Sequence, residues 1–213
     1  PAGGPALAPA QLRPNNRLQG MRGRACFRVA ERLARRPRTP DPCVVRPLPS
    51  FSSSTRVLTL KETAELYRLA LLGGWVTPED VAAWTDRLIE RVAQPDVSIL
   101  EASVRVRRPP YEMAEALGQV PGQFDERAVN GALLGLMHRA VLQDRTLAAR
   151  TAAALYSMAL HGAAPDEHSS SIMWSFDDDL AIARDGVYGD PEQIIKEMIH
   201  FLSEYPEPVI FTA

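Results

Sequence analysis

The residues best suited by type to do chemistry are five aspartates in the last quarter of the chain. Asp177, Asp178 and Asp179 stand in a row, with Asp185 and Asp190 close behind. Carboxylates bind hard cations through oxygen, and two or three converging on one ion would support metal-assisted hydrolysis. Consecutive helical residues fan out by about 100° each, however, so three in a row cannot all face one ion. The Asp-x-Asp-x-Asp-Gly loop of a calcium-binding hand is also missing. Acids in the first turn of a helix, set against its dipole, account for the run without any metal.

Histidine and serine give no better constellation. His138, His161, His168 and His200 include no i, i+4 pair and no His-Glu-x-x-His, the spacing that would put two imidazoles on one ion. His138 and His200 fall beside apolar helix faces, as structural histidines do. His168 adjoins Ser169, Ser170 and Ser171, but no Gly-x-Ser-x-Gly elbow presents a nucleophile. No catalytic residue, metal ligand or cofactor site is assigned, and a metal-dependent hydrolase built on Asp177–Asp179 with His168 or His200 stays a distant alternative. The tryptophans suit recognition better. Trp84 lies on an apolar stripe and reads as core, whereas Trp75 in a turn and Trp174 near a loop could be partly exposed. The candidate partner-binding residues are therefore Trp75, Trp174, Asp177, Asp178, Asp179 and Asp185.

The elements that must position these residues are helices. Thr59-Leu-Lys-Glu62 is a capping box, followed by Ala64, Tyr67 and Leu71 on one face and stopped at Gly73-Gly74. Thr77-Pro78-Glu79-Asp80 starts a second helix, with Val81, Trp84, Leu88 and Val92 on a stripe. A shorter helix carries Ile99, Leu100 and Val104, and the run from Arg105 to Pro110, with Arg107 and Arg108, breaks it. Another around Met113 and Leu117 ends at Gly118. Asp125 opens a longer one with Val129, Leu133, Leu136, Met137 and Ala140 inward. Thr146 to His161, alanine-rich, is expected to turn Ala149, Ala153, Tyr156 and Leu160 inward and to be the most central helix. Gly162 to Ser171 reads as a loop, Ser175 as the cap of a helix through Arg184, and Asp190-Pro191-Glu192 as the start of the last. Val57-Leu58 and Val209-Ile210-Phe211 could pair as a small edge. The fold class is thus all-α: a bundle of about seven or eight helices in antiparallel pairs.

Charge divides the chain into two parts. Residues 1–56 hold eleven Arg and no Lys against Glu31 and Asp41, a net of +9, whereas residues 57–213 carry −11. Half of the 18 prolines and both cysteines, Cys26 and Cys43, lie in the first part. It is expected to be a largely disordered leader: a targeting segment, an arm for phosphate or acidic partners, or an extension without a role, with Met21 as a later start. With Phe27 the one aromatic before Phe51, it lacks stacking platforms, so nucleic acid is not the expected partner. The acidic domain, 57–213, has no thiolate and no apolar run long enough to span a membrane, which fits a soluble, cytoplasmic protein.

The stretch Gly74-Trp75-Val76-Thr77-Pro78-Glu79-Asp80-Val81-Ala82-Ala83-Trp84-Thr85-Asp86-Arg87-Leu88-Ile89 resembles small helical bacterial proteins of uncharacterised function, some of them similar to immunity proteins encoded beside toxins. Leu180-Ala-Ile-Ala-Arg-Asp-Gly-Val-Tyr-Gly189 looks like the closing segment of that group. The resemblance covers most of residues 57–213 and implies a non-catalytic body that sequesters a toxin. The expected function is a non-enzymatic protein-binding module with a basic protein partner. A helical scaffold that assembles with itself is the first alternative.

Overall fold

Residues 56–212 are described in this computed structural model, so the basic leader and its cysteines fall outside the described residues except for Arg56. Eight α-helices stand among the described residues, most of them started by a capping side chain or a proline. α1 (Leu60–Gly73) opens on the Thr59–Glu62 box: the Glu62 amide donates to Thr59 Oγ1 at 3.2 Å, and the Thr59 amide donates to Glu62 Oε2 at 2.8 Å. α2 (Pro78–Arg91) uses Thr77 and Asp80 in the same reciprocal way, with Pro78 in the first turn, where no N–H is missed. α3 (Val97–Val104) is capped by Asp96, α4 (Pro110–Gly118) begins at a proline, and α5 (Glu126–Gln143) is capped by Asp125. A 3₁₀ turn, Arg145–Leu147, leads into α6 (Ala148–Leu160); α7 (Glu167–Arg184) and α8 (Pro191–Leu202) follow.

α1 and α5 hold the centre. α1 packs on α4 and α5, and α5 continues to α8. α2 pairs with α3, which also reaches α4, while α6 and α7 form the closest pair and α7 leans on α8. Leu66, Leu117, Leu134, Met137 and Trp84 are fully buried at the heart of this order. The C-terminal tail returns across it. Val209 bridges Val57 in parallel, the Leu58 amide donates to the Val209 carbonyl at 3.0 Å, and the Phe211 amide donates to Thr63 Oγ1 at 3.0 Å. Trp84 Nε1 donates to the Phe211 carbonyl at 2.9 Å.

Two elements differ from the expectation. α6 is not central: it buries Ala148, Thr151, Ala152, Leu155 and Ala159, while Ala153 and Leu160 face out. Alanine on nearly every side of this helix leaves its apolar period ambiguous, so the face expected from sequence was one residue out of step. α7 begins eight residues before Ser175. Asp166 caps it by accepting from the Ser169 amide at 2.8 Å, and the serines that look like a loop lie in its first turns. Ser169 donates its hydroxyl to Asp166 Oδ2 at 2.8 Å, which leaves the Tyr205 hydroxyl as the donor in its 3.0 Å contact with Ser169. Burial pushes the Asp166 carboxyl up, but the Ser169 amide and hydroxyl outweigh it and hold it below its ordinary value.

Candidate protein-interaction site

With Met173, Phe176, Leu180 and Ala183 turned into the body, α7 must present the opposite side to solvent. Steps of about 100° put Trp174, Asp178, Ala181 and Asp185 in one outward stripe, about 16 Å from Trp174 to Asp185. Asp177 flanks it at the border of the buried face, and Asp179 points well away. Trp174 therefore sits in mid-helix, not near a loop. It is 38% exposed, and the Tyr156 ring of α6 supports it edge to face at 4.7 Å between centroids. The carboxylates of Asp177, Asp178, Asp179 and Asp185 accept no hydrogen bond and join no ion pair with any described residue. Asp190 is committed to capping α8 through the Glu192 amide at 3.0 Å.

The stripe runs into a turn with defined geometry. Gly186 adopts φ 69°, its amide donates to the Ala183 carbonyl at 3.1 Å, and the Val187 amide donates to the Ile182 carbonyl at 3.2 Å. This double return closes a helix with a left-handed glycine, and Gly189 at φ 86° turns the chain again toward α8. Between the two glycines Val187 is 76% and Tyr188 84% exposed, beside the half-exposed Ile182.

The first helix ends on the same hydrogen-bond pattern with the opposite result. There the Gly74 amide donates to Leu71 and the Trp75 amide to Ala70, at 3.1 and 2.9 Å. Trp75 folds its ring back over Gly73, where a Cβ would lie 1.8 Å from it, and Nε1 donates to Thr151 Oγ1 at 3.0 Å. Trp75 and Trp174 both reach α6, but at Thr151 and Tyr156, which point to different sides of that helix. Trp75 is thus a plug in the body, separate from the α7 stripe. The structure brings together Trp174, Asp177, Asp178 and Asp185, and adds Ile182, Val187 and Tyr188. The sequence reading had not singled out these last three: Gly74-Trp75 and Gly186-Val187-Tyr188 both set an aromatic after a Gly stop, without showing which aromatic would face water.

Among the described residues no group of three His, Cys, Asp or Glu side chains is placed to hold a metal ion. No described helix is long and apolar enough to cross a membrane. No protein-family model matches this chain, and neither a curated protein nor a solved structure matches it.

Proposed function

We propose that the helical domain is a non-enzymatic protein-binding module, of the immunity type, that sequesters a basic protein in the cytoplasm through the α7 end. One observation carries this reading: unpaired carboxylates and a solvent-facing aromatic tip, set between two left-handed glycines, lie on one continuous surface. From Asp166 to Glu192 the chain holds eight carboxylates against Arg184, so a net of −7 out of the domain's −11 is concentrated here. Such a field steers a basic partner and speeds encounter, while Tyr188, Val187 and Trp174 supply the apolar contact that slows release. Tyr188 is suited to this because its turn is already fixed, so little backbone freedom is lost on binding. Catalysis has no comparable support, since Asp177, Asp178 and Asp179 diverge around the helix.

Capture from a lysate of the source organism with the full chain as bait tests the proposal. Wild type is expected to retain a basic protein at low salt and to release it as salt rises. Tyr188→Ala should weaken that complex roughly 30-fold, the effect of losing about 2 kcal/mol at a central aromatic. Asp178→Asn with Asp185→Asn should instead slow association and flatten the salt response. If every captured protein binds these variants as well as wild type, the α7 end is not the site.

A further inference from the structure

α6 is apolar on more sides than the domain covers. From Ala148 to Leu160 it carries a single charge, Arg150, whose guanidinium is held at the Gly73 carbonyl, 3.3 Å away. A helix apolar nearly all round is ordinarily buried nearly all round. Here one face is buried, centred on Ala152, Leu155 and Ala159, and a second apolar stripe is left over. It consists of Ala149, Ala153, Tyr156 and Leu160, which lie within about 60° of one another around the helix. Ala153 is exposed, Leu160 is 53% exposed, and Ala149 and Tyr156 are half-buried. The contact between the Tyr156 and Trp174 rings places this stripe on the flank of α6 beside the outward stripe of α7. A short connection makes the two helices run in opposite directions, so Ala153 stands level with Asp177 and Asp178, and Ala149 with Ala181. From Ala149 to Leu160 the stripe is about 16 Å long, the same length as its neighbour on α7.

We infer that the partner of the α7 end presents a basic amphipathic helix, which lies lengthwise between the α6 and α7 stripes. This deepens the reading of the α7 end as the site for a basic protein and rests on it. An apolar stripe beside an acidic one of equal length is the complement of a helix with apolar anchors three and four residues apart and cations along one flank. The anchors rest on Ala153, Tyr156 and Leu160, and the cations meet the unpaired carboxylates of Asp178 and Asp185. Ala149 and Ala153 are small enough to let a third helix approach α6 closely. The surface is acidic when every nearby charge is counted: residues 145–192 hold eight carboxylates against Arg145, Arg150 and Arg184, a net of −5. A second copy of the domain is not the occupant, because no described helix holds more than two Lys or Arg. The α7 carboxylates then govern how fast the complex forms, and the α6 stripe how slowly it dissociates.

A designed peptide tests this with the full-length protein, its binding followed by fluorescence anisotropy. The labelled probe is about five helical turns long, with Leu at three- and four-residue spacing and Lys elsewhere. One control holds the same residues in alternating order, which forms no helical stripe, and another has Glu in place of Lys. The Leu–Lys helix should bind at micromolar concentration and be released by salt, and both controls should bind at least about tenfold more weakly. Ala153→Gln with Leu160→Gln, both exposed, spares folding and should weaken the Leu–Lys helix roughly 30-fold. Val97→Ser with Val104→Ser, an exposed apolar pair on α3, should leave it unchanged. The inference is overturned if wild type ignores the Leu–Lys helix, if the alternating peptide binds as well, if the α6 variant binds as wild type does, or if the α3 variant loses as much. Dimers of wild type in sedimentation that the α6 variant lacks would overturn it too, since a second copy would then cover the stripe. In capture from lysate, the α6 variant should lose the same basic protein that Tyr188→Ala weakens. If the α6 variant keeps that protein while Tyr188→Ala weakens it, the proposed function stands and the helix falls; if Tyr188→Ala also binds as wild type, the α7 reading itself falls.

Discussion

Glu62 is the side chain on which most local structure converges. It is 2% exposed, completes the α1 capping box, pairs with Arg56, and accepts from the Asp125 amide at 3.2 Å, joining the starts of α1 and α5. Burial pushes its carboxyl up, but the hydrogen bonds from Arg56, Thr59 and Asp125 prevail and bring it down to about 2. A carboxyl lowered in the folded state stabilises the protein above the ordinary glutamate range, and that stability is lost as pH falls toward 2. Glu62→Gln should therefore cost about 2 kcal/mol at neutral pH, a figure discounted because Arg56 is half in solvent. The gap between variant and wild type in urea unfolding should narrow from about pH 4.5 downward. A gap of constant size would show that packing, not ionisation, gives Glu62 its weight. The capping box was legible in Thr59-Leu-Lys-Glu62 because both ends of it lie within one turn. The Asp125 link was not, since it joins residues 63 apart through a backbone amide that carries no side-chain signal.

At the scale of the element, α5 contains a matched pair of glycines one turn apart. Gly135 lies under the tail: a Cβ there would come within 2.3 Å of the Pro206 carbonyl oxygen, part of a backbone that cannot swing aside. At Gly131 a Cβ would meet nothing within 4 Å. Alanine favours a helix interior over glycine by about 1 kcal/mol, so Gly131→Ala should stabilise by up to that amount. Gly135→Ala gains the same propensity but must displace the tail, and should destabilise by about 1–3 kcal/mol. Thermal unfolding of the two variants should move in opposite directions. Equal shifts of one sign would mean that the tail does not press on α5. Helix boundaries were legible wherever caps, prolines and glycines punctuate the chain, as at Thr77-Pro78 and Asp190-Pro191. They failed where composition is ambiguous: alanine hid the buried face of α6, and serine disguised the start of α7, where Asp166 rather than Ser175 is the cap. Exposure of Tyr188 was equally hidden, because Gly-Trp and Gly-Val-Tyr specify the same turn and only the neighbouring helices decide what covers it.

For the whole domain, the tail does what no single helix does: it touches α5, α1 and α2 in turn, and so ties α2 to α1, on which it otherwise packs little. From α8 it crosses α5 at Pro206, reaches Leu58 through Val209, meets Thr63 of α1 and Trp84 of α2 at Phe211, and ends its described course at Thr212, whose carbonyl accepts from Arg91 of α2 at 2.8 Å. Without it, the Leu58 amide and the Trp84 indole would each lose their acceptor, and Thr63 its donor. Each such loss costs about 1 kcal/mol, more where the group stays buried away from water. Ile210 and Phe211, both packed against the core, add roughly 1–2 kcal/mol of apolar burial each. Removing residues 208–213 should therefore lower stability by about 5–7 kcal/mol, a large share of what an ordinary domain has. Trp84→Phe, which keeps most of the ring and loses one donor, should cost a fraction of that. Denaturant unfolding followed by circular dichroism separates the two cases. The truncated chain should unfold at a much lower midpoint, and the Trp84 variant near that of wild type. Should the truncated chain keep the wild-type midpoint, the helices alone would hold the domain, and the tail would be a passenger on α5 rather than its clasp.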